Sequence, residues 1–196
     1  YTERYNTDMD NKVALQENAL RLFAQKGYDA VGVQEIVDSV GVTKPTLYHY
    51  YVSKHDLLQT ILEQYYKDLK TQLSDAAIYQ GDLPFTLYKI ADVYFRFAKE
   101  NPTFYRLQLA LWFAPHQSEG YQVVTSLNQF QFEIIEKVFL QAVEQHGNMR
   151  GRHQAYTLTF LGMVNNYIAL ALNGYTDLSE QITHQAVHQF QHGIYS

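Results

Sequence analysis

The 196-residue chain has no cysteine, which excludes disulfides, thiolate metal sites and a cysteine nucleophile. Sustained strand-like alternation is missing, as are internal repeats and low-complexity stretches. No signal peptide and no long uncharged apolar run is found, so a soluble, cytoplasmic protein is expected. Enzyme signatures are absent too: there is no nucleophile elbow, P-loop, dinucleotide fingerprint or His-Glu-x-x-His. The expectation is therefore no enzyme, no cofactor and no metal site. A surplus of positive charge is also lacking. Lys and Arg number 15 against 20 Asp and Glu, a formal net charge of −5, which is awkward for a nucleic-acid binder, whose contact face is basic. Locally the balance reverses: from Ser39 to His55 there is no acidic residue, while Lys44, His49, Lys54 and His55 fall in that window.

What is present is core material. Hydrophobic residues make up 46% and charged residues 18%, with 17 Tyr and 11 Phe, a globular rather than a disordered composition. Apolar residues recur with the helical period, and Gly27, Gly41, Gly81, Asn101-Pro102, Pro115, Gly147 and Gly174 separate the segments. Helices are expected at about Asp10–Lys26, Gly32–Val40, Lys44–Tyr50, Lys54–Tyr79, Pro84–Glu100, Thr103–Phe113, Glu119–Gln145, Gly151–Asn173 and Ser179–His192. The fold class is all-α with about nine helices: a three-helix N-terminal unit over residues 1–53 and a larger bundle over 54–196.

The segment Gly32 to Tyr51 has the parts of a helix-turn-helix: a short helix, a turn containing Gly, and a second helix short enough for a groove. Glu35, three residues after Gly32, sits as in a capping box that lacks its hydroxyl. Thr43 suits an N-cap and Pro45 falls in the first helical turn. Leu47 faces inwards with Val42 and Ile36, which leaves Lys44, Thr46, Tyr48 and His49 outward. Such side chains suit DNA: lysine for phosphate or guanine, threonine for a base edge or a thymine methyl, the tyrosine hydroxyl for phosphate. The same pattern also fits an all-α small-molecule-binding or scaffold protein whose helical hairpin does not bind DNA.

Further residues carry a resemblance. Gly27-Tyr28, Val33-Gln34-Glu35-Ile36-Val37, the run Gly41 to Lys54 and Leu57-Leu58 together resemble the N-terminal domain of TetR/AcrR-family transcriptional regulators. The resemblance implies a regulator, in the first instance a repressor, that binds a palindromic operator in double-stranded DNA as a homodimer and is released by a small-molecule effector. It implies that Lys44, Pro45 and Thr46 approach base edges with Gln34, and that Thr43, Tyr48, His49, Tyr50 and Lys54 hold phosphates. Gly32 stands where the family usually has Ser or Thr, so one phosphate contact is lost; Val37 stands where Ala is more common.

In the C-terminal part, the segment Gly151–Asn173 is apolar on nearly every side, so it packs against its own domain and something else, most simply a partner chain; the central helix of a monomeric bundle is the alternative. The last helix, with its narrow stripe Ile182, Ala186 and Phe190, pairs with it, and the resemblance implies a dimer through these last two helices. The aromatic-rich middle helices suggest an apolar or aromatic effector, with Tyr105, Trp112 and His116 as its neighbours. Asn165 and Asn166 interrupt an apolar helix and read equally as register-setters across a dimer or as hydrogen-bonding groups for a ligand. His184, His188 and His192 share one helix face; a solvated polar face fits them better than a metal site, because no carboxylate or cysteine completes a ligand set.

Overall fold

The computed structural model describes residues 2–145 and 147–193, with backbone alone for 2–9 and 148. Among the described residues there are nine α-helices, one short 3-10 turn at Gly147–Met149 and no strand. The helices are α1 (Thr2–Lys26), α2 (Val33–Val40), α3 (Lys44–Tyr50), α4 (Lys54–Ala76), α5 (Leu83–Glu100), α6 (Pro102–Trp112), α7 (Glu119–Val143), α8 (His153–Leu172) and α9 (Glu180–His192). The expected all-α order holds throughout, with α1 reaching further towards the N-terminus than its apolar pattern does.

Two compact units make up the chain. The first contains residues to Tyr65 together with Thr103–Thr125, and the second contains Tyr66–Pro102 and Ser126 onwards. Helix α4 thus begins in one unit and ends in the other, and the segment 103–125 leaves the second unit, joins the first and returns.

In the first unit, α1 buries Leu15, Ala19, Leu22 and Phe23, spaced at three and four residues, against α2 and α3. Ile36 and Val37 of α2 and Leu47 of α3 close that core, each fully buried and each worth about 1.5–3 kcal/mol relative to exposure. The turn between α2 and α3 is made by Gly41 at φ 77°, a left-handed conformation that costs glycine little. The N–H groups of Gly41 and Val42 both reach the Val37 carbonyl, at 3.0 Å.

In the second unit, α5 packs on both α8 and α9. Phe139, Phe160 and Phe190, from α7, α8 and α9, meet with ring centroids 5.3 to 6.5 Å apart. Of the stripe Ile182, Ala186 and Phe190, Ala186 is buried and the other two are half-buried, with the Phe190 ring against Phe139 and Phe160. Helix α8 corrects an expectation. Its 20 residues carry no Asp, Glu, Lys or Arg, so the chain does contain one uncharged run long and apolar enough to cross a membrane by length and composition. In this fold Phe160, Leu161, Val164 and Ile168 of α8 are buried, while Leu158 and Leu170 are 62% and 47% exposed.

Candidate nucleic-acid interface and effector site

The outward face of α3 is set by its two ends. Thr43, with extended backbone, accepts a hydrogen bond from the Thr46 N–H and lies 3.0 Å from the Thr46 hydroxyl. Pro45 occupies the first turn, where a missing N–H costs nothing. With Leu47 buried, Thr43, Lys44, Pro45, Tyr48 and His49 are exposed, Tyr48 by 52%, and Thr46 and Tyr50 are half-buried. The His49 ring packs edge-on against Tyr50 at 5.0 Å. On α2, the exposed Gln34 amide donates to the Asp38 carboxylate at 2.7 Å. The residues expected at base edges thus lie on α3, inside the acid-free stretch Ser39–His55, and at the start of α2, where Gln34 neighbours Glu35 and Asp38.

Three sequence expectations are redirected. Gly32 caps α2 in extended conformation with no side-chain bond, and Glu35 does not return to it; Glu35 forms an ion pair with Lys26 at the end of α1 instead. Cap and carboxylate are separated because Lys26 offers a charged partner where the Gly32 N–H is only a neutral one. The Thr43 hydroxyl, expected on a phosphate, is already engaged in the cap of α3. Lys54 is the largest departure. Its ammonium donates to the carbonyls of Tyr28 and Val31, both at 3.0 Å, and lies 4.1 Å from the centre of the Tyr28 ring. Two carbonyls and a ring face at one point make a site for a cation inside the protein, so in this structure the charge is not offered outwards to a phosphate.

Lys54 belongs to a larger brace. Tyr28, in the turn between α1 and α2, is buried and packs edge-on against Phe23 at 5.1 Å. Its hydroxyl donates to the Glu119 carboxylate at 2.6 Å. Burial, then that hydrogen bond and the charge of Glu119, push the Tyr28 pKa well above the ordinary tyrosine value. Gly120 allows this approach: a Cβ there would come within 2.6 Å of the Leu111 side chain and 3.6 Å of the Tyr28 ring. The start of α4 is fixed as well. The Ser53 hydroxyl accepts from the Asp56 N–H at 3.1 Å, and the Asp56 carboxylate accepts from the Val52 N–H at 2.8 Å, a reciprocal cap.

The expected effector neighbours are scattered. Tyr105 is fully buried, Trp112 half-buried and His116 exposed beside the Tyr121 ring at 4.6 Å, all in the first unit. Asn165 is half-buried and Asn166 exposed, both in the second. The three α9 histidines are exposed: His184 stacks on Tyr88 at 4.3 Å and His188 packs on His192 at 4.4 Å. No group of three or more possible metal ligands occurs among the described residues.

Sequence reasoning missed two residues. Gln108 on α6 and Gln131 on α7 are both 0% exposed, and neither amide atom of either has a hydrogen-bond partner. The signal was available: Gln108 interrupts the apolar stripe Phe104, Leu107 and Leu111, and Gln131 interrupts Leu127, Ile135, Val138 and Ala142. An amide buried without a partner costs about 1–3 kcal/mol, so such residues point to something that satisfies them.

Residues 15–61 match the family described as bacterial regulatory proteins, tetR family. The N-terminal segment, from α1 into α4, is thus similar to that family. Over 121 residues the chain is 36% identical to the uncharacterized HTH-type transcriptional regulator YuxN of Bacillus subtilis, covering 60% of this chain and 41% of the relative. It is 32% identical over 89 residues to the HTH-type transcriptional activator FasR of Mycolicibacterium smegmatis, covering 45% of this chain and 41% of the relative. The matches thus span less than half the length of these curated relatives. Among solved structures, the TetR-family regulator PfmR of Thermus thermophilus superimposes with a TM-score of 0.75, at 22% identity and over 93% of this chain and 96% of that one. This last likeness confirms the fold.

Proposed function

We propose that this protein is a transcriptional regulator that binds a palindromic operator as a homodimer, represses from it, and is released by a small-molecule effector. The observation that carries the reading is the exposed, acid-free face of α3, held rigid by the Thr43 cap and buried Leu47. Residues 1–53 are the DNA-reading part and 54–196 the effector-binding and dimerising part. Lys44, Pro45 and Thr46, with Gln34 released from Asp38, read base edges. Tyr48, His49 and Tyr50 hold phosphates, Thr43 contributes through the first turn that it caps, and Lys54 braces the α1–α2 turn. One such helix reads few base pairs, so two copies must present theirs to successive half-sites about one helical turn or a multiple of it apart.

The unpartnered side of α8, with Ala155, Leu158, Thr159, Gly162, Asn166 and Leu170, supports the dimer. These residues follow helical spacing on one face, and nothing lies within 4 Å of where a Gly162 Cβ would be. Exposed apolar surface of this kind is characteristic of an interface. Repression follows from a dimer occupying promoter DNA.

A gel-shift with DNA upstream of the coding region, followed by footprinting and a reporter, tests the reading. The expected result is a protected palindrome, a fall in reporter signal on expression, and a change of preferred half-site in Thr46→Ala. Failure of the wild-type protein to protect any palindrome favours a scaffold or binding protein instead, and a rise in reporter signal reverses the sign of regulation.

A further inference from the structure

Buried threonines and buried glutamines behave differently in this fold. The hydroxyls of Thr86, Thr157 and Thr183 each donate to a carbonyl four residues back in the chain, on Asp82, His153 and Ser179, at 2.7 to 3.1 Å. Each threonine is thereby satisfied by its own chain. Gln131 is as deeply buried and is not: its amide nitrogen and oxygen both lack partners. Three residues earlier on the same face of α7, the Asn128 carbonyl oxygen is buried and unpartnered too.

We propose that Gln131 and Asn128 are the polar anchor of the effector site, and that the effector is an uncharged molecule with an apolar body and an amide-like donor–acceptor group. The proposal rests on the regulatory reading above and narrows its effector to a chemical class. A glutamine side chain offers two N–H donors and a carbonyl acceptor, and Asn128 Oδ1 adds an acceptor. A carboxamide or lactam returns one acceptor and one or two donors, and so answers both residues. A neutral ligand suits the site. The buried polar residues of the described chain are Thr86, Gln108, Gln131, Thr157 and Thr183, with no Asp, Glu, Lys, Arg or His among them. A carboxylate or quaternary ammonium seated there would have no fully buried counter-charge, which makes it more costly to bury than a neutral amide. Leu127, Ile135 and Val138 flank Gln131 along the same stripe and suit an apolar body. Gln108 bears the same mark on α6, in the other unit, and is not needed for the argument.

The test uses the full-length wild-type protein and Gln131→Met, which keeps the length of the side chain and removes the amide. Thermal unfolding is followed alone and with octanamide, benzamide, octanoate or octyltrimethylammonium, and operator affinity is measured on the same preparations. The expected result is that at least one of the two amides raises the wild-type Tm by several degrees, while octanoate and octyltrimethylammonium do not. Gln131→Met loses the amide response yet unfolds at the wild-type temperature or above, because a partnerless buried amide has been replaced by an apolar chain. Equal or larger shifts with the anion or the cation overturn the proposal, as does the absence of any shift with both amides. A clearly lower Tm for Gln131→Met also overturns it, since the amide would then hold the fold together through a partner such as ordered water. Wild-type protein that binds operator but meets one of those outcomes loses only the effector class; protein that binds no operator loses the regulatory reading itself.

Discussion

Two lysines near the candidate interface have opposite surroundings, and the difference has a measurable consequence. Lys44 is exposed in the first turn of α3, whereas the Lys54 ammonium is held by the Tyr28 and Val31 carbonyls. A cation that neutralises a phosphate releases a counterion, and its removal lowers the salt slope of DNA affinity by about one unit. Lys44→Ala is therefore expected to weaken binding and flatten the slope by about one. Lys54→Ala is expected to leave the slope near the wild-type value while lowering Tm, since two hydrogen bonds from a charged donor and a cation–π contact are lost, on the order of 1–3 kcal/mol together. Filter binding across a range of salt concentrations, beside calorimetric unfolding, separates the two. A flattened slope in Lys54→Ala would mean that the ammonium leaves its carbonyls for a phosphate when DNA arrives.

At the scale of elements, the turn between α1 and α2 is held from two directions, by Lys54 of α4 and Glu119 of α7. Because α2 follows that turn directly, its direction depends on the Tyr28 contacts. Tyr28→Phe removes the bond to Glu119 but keeps the ring that packs on Phe23 and under Lys54. The loss is expected to be about 1–2 kcal/mol, the range for a bond to an ionised acceptor discounted for exposure of the carboxylate. Glu119→Ala is expected to cost a similar amount, and the double variant little more, which a double-mutant cycle in urea detects as coupling. Strict additivity would sink the pairing. These contacts mark the limit of what the chain reveals before folding. The bounds of α3, Lys44–Tyr50, are legible because Thr43 and Pro45 mark its start and Leu47 its buried side. The brace is not, since Tyr28 and Glu119 are 91 positions apart and Lys54 reads equally as a surface cation. The exposure of Asn166 is not legible either, because an apolar pattern on every side of α8 hides which side is covered. Gln108 and Gln131 stood in plain apolar stripes, but their lack of partners emerges only once every neighbour is placed.

At the scale of the whole molecule, alkaline pH probes the first unit. Burial raises Tyr51 to about 12, and Tyr28 and Tyr105 are pushed further in the same direction, against about 10 for a tyrosine in the unfolded chain. Above pH of about 10 the unfolded state sheds these protons while the folded state keeps them. The stability is thus full below that pH and is lost as pH rises through the folded values, with at most about 1.4 kcal/mol per pH unit from each group. Tm is expected to fall steeply above pH of about 10, and less steeply in Tyr51→Phe; parallel curves for the two proteins would contradict the assignment.

The second unit poses the assembly question. Leu158 and Leu170 stand 62% and 47% exposed on α8, twelve residues and hence about 18 Å apart along the helix. Ala155, Thr159, Gly162 and Asn166, all exposed in the same stripe, provide small or short side chains that let another helix approach. A charge at each end of this face should separate two copies without disturbing the buried Phe160, Val164 and Ile168. Leu158→Glu combined with Leu170→Glu is expected to run as a monomer at micromolar concentration in sedimentation, with wild-type helix content by circular dichroism. Specific binding should fall by more than tenfold, because each α3 then reads a single half-site, while weak binding to random duplex persists through the phosphate contacts of one copy. Full operator affinity in a demonstrated monomer would remove the two-half-site arrangement and, with it, the role given to α8.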